Sequence, residues 1–153
     1  MHDKSDERLD AFIVDAAQAW GHLRVAVWGA HWDHSRRCLD FSRASLIRLA
    51  AWMQAAPEEI DPVRFLRAAV QYFGETVQAR AEAGWGRTPT GEIGLWVRRR
   101  DWSLNWVSQE SVMEAWFSAV MGESGPAAQA FVRLYDALLA EALPREPAVG
   151  VNN

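Results

Sequence analysis

The chain is predicted to be an α+β domain: about five helices and a small antiparallel meander of two or three strands, at about residues 84–107, packed on the helices. Two features of the sequence carry this. Apolar residues recur at steps of three and four along the segments before Gly84 and after Ser108, and between those segments the period shortens to two. The composition agrees, because 153 residues that are 50% hydrophobic and 24% charged suit a single core needing neither disulfide nor structural metal.

Leu9, Phe12, Ile13, Ala16, Trp20, Leu23 and Val27 form the stripe of a first amphipathic helix starting near Ser5 or Asp6 and fading between Trp28 and His34. A second helix runs from about Arg43 to Ala55, with Ser42 or Asp40 able to cap it, apolar positions at Leu46, Ile47, Leu49, Ala50 and Met53, and Pro57 as its stop. Asp61 as N-cap and Pro62 at the first helical position open a third, through about Ala83, with Phe65, Leu66, Ala69, Tyr72, Phe73, Thr76 and Val77 on one face.

The alternating stretch follows. "GWGR" reads as a first short strand, "RTPTGE" as a turn, Ile93, Leu95 and Val97 as one face of a second strand, and Trp102, Leu104 and Trp106 as one face of a third. Arg100 and Asp101 fall near the turn between them. Ser108 caps a helix carrying Val112, Trp116, Phe117 and Val120, and Pro126 starts a last helix with Phe131, Leu134, Tyr135 and Leu138. With no repeat and no linker, residues 1–143 read as one domain and residues 144–153, "PREPAVGVNN", as a mobile tail.

A net charge of −4 argues against a long nucleic acid as the main partner, since such binding rests on Lys and Arg neutralising phosphates. A single cysteine forms no internal disulfide, the charged start "MHDKSDERLD" is unlike a secretory signal, and no apolar run approaches the roughly 20 residues of a membrane span. A cytoplasmic protein is expected. Nine tryptophans are the unusual count, and indole serves cores and binding surfaces equally well.

Two segments carry a resemblance. "LDFSRASLIRLAAWM", Leu39 to Met53, resembles an LD-[FY]-S-x-x-S-L helix opening, and "AVQYFGETVQARAEAGW", Ala69 to Trp85, resembles a Y-[FL]-G-E-x-[VI] helix followed by a Gly-Trp strand start. In order and spacing they are similar to a loose group of small bacterial α+β proteins, some of which look like immunity or accessory proteins of toxin systems. The resemblance covers the middle half of the chain and implies a fold more than a function; it supplies no catalytic residues.

Within the second segment, Gly74 interrupts a helix at a cost of about 1 kcal/mol, which suggests that another backbone or a tryptophan approaches closely there. Glu75 lies one step off the apolar stripe and is read as a half-buried carboxylate paired with an arginine such as Arg98, or else as a functional carboxylate in a pocket.

Two stretches are candidates for chemistry. In "HWDHSRRC", His31, His34 and Cys38 would fall within about 60° of one another on a continuous helix and could hold a metal, but the helix is expected to end before Cys38 and no paired zinc spacing is present. A polar connection between helices is the plainer reading. In "WVRRRDWSLNW", aromatic residues flank three arginines on a hairpin, suited to a phosphate, an acidic protein surface or an unpaired base or, more plainly, to a charged edge that resists further strand pairing. Catalytic motifs of the familiar kinds are absent, and Glu58, Glu59 and Asp61 complement a helix dipole.

The resulting expectation is a binding protein without a cofactor. Its partner is another protein, possibly acidic, contacted through Trp96, Arg98, Arg100 and Trp102, with Glu75 as a weaker companion; homodimerisation is compatible with it. The rival expectation is an enzyme or ligand-binding protein with a pocket between helices and sheet, using Glu75, Tyr72 and His34.

Overall fold

The computed structural model describes residues 40–54, 62–121 and 129–145 together with Glu7 and Ala11, and it gives backbone only for 52–54 and 62–65. Apart from Glu7 and Ala11, the predicted first helix lies outside the described residues, as do His31, His34, Cys38 and Pro126. The described chain is α+β, with helices α1 (Arg43–Gln54), α2 (Pro62–Gln78), α3 (Gln109–Met121) and α4 (Ala130–Glu141) around strands β1 (Ala83–Arg87), β2 (Ile93–Arg98) and β3 (Leu104–Ser108).

The strands lie in sequence order, each antiparallel to the next, as a meander joined by tight turns must. Trp85 stands opposite Leu95 and Leu95 opposite Val107, while Ala83 stands opposite Val97, and these residues form the face that packs on the helices. The other face carries Gly84, Trp96 and Trp106 in one row and Gly86 and Gly94 in the next. Glycines leave room for indoles there: a Cβ on Gly84 would stand 3.0 Å from the indole nitrogen of Trp96.

The core is built where the helical stripes meet that sheet. Phe73 of α2 and Phe131 of α4 have ring centroids 5.1 Å apart, and Trp116 of α3 meets Phe131 edge-on at 5.2 Å. Leu66, Ala69, Tyr72, Phe73, Thr76 and Val77 are all buried as the α2 stripe requires, as are Leu46, Leu49 and Ala50 of α1. Ile47 and Phe117 are half-exposed, contrary to expectation. Each follows a buried residue, Leu46 or Trp116, by one position, and one helical step of about 100° carries it off the buried face.

Helix starts follow the sequence closely. Asp40 accepts from the Ser42 amide at 3.1 Å and Ser42 Oγ from the Ser45 amide at 3.2 Å before α1, while Ser108 Oγ accepts from the Ser111 amide at 3.1 Å before α3. At the start of α1, Tyr72 ties the two helices together. Its hydroxyl accepts from the Phe41 amide at 2.9 Å and donates to Ser45 Oγ at 2.5 Å, and its ring stacks on Phe41. Burial raises the Tyr72 pKa, which keeps the phenol neutral. Tyr72→Phe should therefore cost about 1–3 kcal/mol in urea unfolding, because it strips a part-buried amide of its acceptor.

Two boundaries differ from expectation. Helix α2 ends at Gln78, not near Ala83, because Ala83 is drawn into pairing with Val97 and the Glu82 carbonyl accepts from the Arg98 amide at 2.8 Å. The helix-forming run "ARAEA" yields to the sheet. Pro144 and Arg145, assigned to the tail, are held: the Arg145 amide donates to the Arg80 carbonyl at 2.9 Å, and Ala81 bridges Pro144.

Candidate functional site at the turn between β2 and β3

Both turns of the meander have the same hydrogen-bond pattern. In the first, the Thr88 amide donates to the Glu92 carbonyl and the Gly91 amide to the Thr88 carbonyl; in the second, the Arg99 amide donates to the Ser103 carbonyl and the Trp102 amide to the Arg99 carbonyl. Each is a three-residue loop whose last residue is left-handed, with φ of 89° at Gly91 and 71° at Trp102. Glycine takes that conformation freely, whereas an L side chain pays about 1–2 kcal/mol for it.

Trp102 is therefore not on the face of β3, as its spacing from Leu104 and Trp106 suggests, but on the turn, with 67% of its surface exposed. Its neighbours over-determine this conformation. Arg98 Nη1 donates to the Trp102 carbonyl at 2.9 Å, and the Asp101 carboxylate accepts from both the amide and the hydroxyl of Ser103. Those bonds hold the Asp101 carboxyl below the usual carboxylate range.

The three consecutive arginines diverge. Arg98 engages Glu82 at 3.6 Å and lies over the Trp96 ring, 5.9 Å from its centroid; Arg99 engages Glu141 at 3.3 Å; Arg100 is exposed. The expected pairing of Arg98 with Glu75 is replaced by the pair with Glu82, which stands closer to the turn. Glu75 itself is half-buried within α2, next to Gly74. A Cβ on Gly74 would lie 2.6 Å from the indole nitrogen of Trp85, the close approach that a glycine in this helix suggested.

Trp96 is half-buried and Arg98 is committed to its neighbours, so of the four hairpin residues Trp102 and Arg100 are the ones that project. Arg98→Ala should lower stability by about 1 kcal/mol in urea unfolding, since a charged donor to the Trp102 carbonyl is lost, while Arg100→Ala should leave the unfolding midpoint unchanged.

The C-terminal strap completes the site. After α4, residues 142–145 cross the end of the sheet, with Arg99 bridging Ala142 and the Leu143 amide donating to the Arg98 carbonyl at 2.8 Å. Between Trp102 on one side and Leu143, Pro144 and Arg145 on the other is an open groove of about 550 Å³, floored by Ala81, Glu82 and Ala83. Sequence reading placed Ala81, Glu82 and Ala83 at a helix end, Trp102 on a strand, and Pro144 and Arg145 in a tail. The available signal was the contrast between "TPTGE", which has glycine before its last residue, and "RRDWS", which has tryptophan there.

Among the described residues no cluster of three or more His, Cys, Asp or Glu could hold a metal, and no helix is long and apolar enough to cross a membrane. Of the residues considered for a pocket, Tyr72 is fully buried with its hydroxyl bonded to the Phe41 amide and Ser45, Glu75 is half-buried, and His34 lies outside the described residues. Comparison with protein-family models, with curated proteins and with solved structures finds no match.

Proposed function

We propose that the chain acts by binding another protein, in the manner of an immunity or accessory factor, through the turn between β2 and β3. Trp102 is the anchor, Arg100 stands beside it, and Arg98 and Trp96 hold the turn from below. One observation carries this reading: two turns of the same pattern stand in one sheet, and the one that departs from glycine does so for an exposed indole. The fold gains little from that choice, because most of the side chain packs on nothing. A binding surface gains much, since Trp and Arg are the residues most enriched among interface hot spots.

The test is native mass spectrometry of the protein purified gently from its own host, comparing the unaltered chain with Trp102→Gly. The expected result is an additional protein mass with the unaltered chain and its loss from the variant, as an anchor worth 2 kcal/mol or more weakens binding by about 30-fold. A complex that survives in Trp102→Gly overturns the assignment of the surface. Retention of a metal or small molecule with no protein mass overturns the binding reading itself.

A further inference from the structure

We infer that β3 is an interface between copies of this chain: two β3 strands pair antiparallel about a two-fold axis at Trp106 and join two three-stranded sheets into one. The inference is independent of the role proposed for the turn between β2 and β3. It starts from where the backbone of β3 points. The Arg98 amide donates to the Glu82 carbonyl and the Arg99 amide to the Ser103 carbonyl, so successive residues of β2 bond alternately toward β1 and toward β3. With Val97 opposite Asn105 and Leu95 opposite Val107, Asn105 and Val107 are the residues of β3 whose backbone faces β2. The amides of Leu104, Trp106 and Ser108 and the carbonyls of Leu104 and Trp106 therefore point away from β2, and among the described residues no strand pairs with them. The Ser108 carbonyl, at an N-cap, opens the ladder of α3 instead.

The two edges of the sheet differ. Strand β1 ends on a charge, Arg87, and its Ala83 carbonyl accepts from Gln78 Nε2 at 3.3 Å. Strand β3, "LNWVS", has neither charge nor proline, and it pairs with β2 residue for residue, so no bulge turns its edge aside. Charge, proline and bulges are what keep an open edge from acquiring another strand, and β3 lacks all of them.

A second copy suits this edge. The two-fold axis sets Trp106 opposite Trp106 and Leu104 opposite Ser108, so that each Trp106 amide reaches the other Trp106 carbonyl and each Ser108 amide the other Leu104 carbonyl. Every outward carbonyl of β3 is then satisfied. Trp96 stands opposite Trp106 within the sheet, so the pairing continues that row as Trp96, Trp106, Trp106 and Trp96 across the two copies. Leu104 is exposed and Trp106 half-buried, which leaves apolar surface for the contact to cover.

Charge selects the antiparallel sense. The turn end of the sheet holds Arg80, Arg98, Arg99, Arg100 and Arg145 against Glu82, Asp101 and Glu141, an excess of positive charge. The opposite end, where α3 starts, holds Glu92, Glu110 and Glu114 against Arg87. Antiparallel pairing sets the positive end of each copy beside the negative end of the other, whereas parallel pairing sets like beside like.

The test is sedimentation velocity of the full chain between about 1 and about 200 µM, which should show a reversible monomer–dimer equilibrium that weakens as salt is raised from about 50 to about 500 mM. Leu104→Pro should weaken the dimer at least about 10-fold, because its ring stands where the second strand must approach. The Leu104 amide takes no part in the β2–β3 ladder, so the variant keeps its circular dichroism spectrum. Hydrogen exchange on the unaltered chain reads the same contact without a substitution: the amides of Trp106 and Ser108 should exchange about 3-fold or more slowly at the high concentration than at the low one, with those of β1 unchanged. A monomer throughout the range leaves this edge to a strand of another protein and overturns the inference. A dimer indifferent to Leu104→Pro, protection at β1 in place of β3, or assembly that continues past the dimer would each overturn it as well.

Discussion

Replacing Gly94 with alanine should destabilise the protein by about 1–3 kcal/mol, read as a lowered urea midpoint with an unchanged slope. The new methyl would lie 2.9 Å from the Val107 carbonyl oxygen and 2.8 Å from Thr88 Cγ2. The threonine can turn away, but the carbonyl belongs to the backbone of the neighbouring strand and moves only if β2 and β3 part. Gly74→Ala should fall in the same range despite the better helix propensity of alanine, because the Trp85 indole, 2.6 Å from the added atom, must be displaced from its place against the core.

Gly86 is the control. An added Cβ there meets nothing closer than 3.4 Å, so Gly86→Ala should be neutral or slightly stabilising through its effect on the unfolded chain. A series in which all three substitutions cost the same would show that backbone freedom, and not steric fit to their neighbours, explains these glycines.

The second large effect is a separation of stability from binding at Trp102. Substitution of a buried aromatic normally costs 3–5 kcal/mol, as expected for Trp116 or Phe131. Trp102→Gly should instead leave the urea midpoint unchanged or raise stability by up to about 1 kcal/mol, since relief of the left-handed strain at φ 71° offsets both the entropy that glycine adds to the unfolded chain and the little packing lost. Its complex with the partner should nevertheless be lost. Gly91→Ala, at φ 89° in the sister turn, should move stability the other way by about 1–2 kcal/mol. A destabilised Trp102→Gly would make Trp102 a structural residue and remove the reason for treating the turn as an anchor.

The amino-acid sequence by itself determined the class of the fold and the local signals that build it. Steps of three and four place Leu66, Ala69, Tyr72, Phe73, Thr76 and Val77 on the buried side of α2, alternation places Leu95 and Val97 on the inner side of β2, and Ser42 and Ser108 cap the helices that follow them. These features depend on neighbours in the chain, so a one-dimensional pattern contains them. Gly74 belongs with them, because a glycine in mid-helix signals a close approach even before the approaching indole is known.

The tertiary structure alone decided where α2 stops, which carboxylates pair with Arg98 and Arg99, and where Trp102 stands. Pairing of Ala83 with Val97 ends the helix against its own propensity. Glu82 and Glu141, distant in sequence from one another, pair with Arg98 and Arg99. The period-two pattern placed Trp102 in line with Leu104 and Trp106, but the turn consumes it, because hydrogen bonds between Arg99 and Ser103 and between Trp102 and Arg99 close the loop one residue further on. The groove beside it forms only when residues 142–145 return to the end of the sheet, and that encounter is a matter of packing between segments more than 40 residues apart.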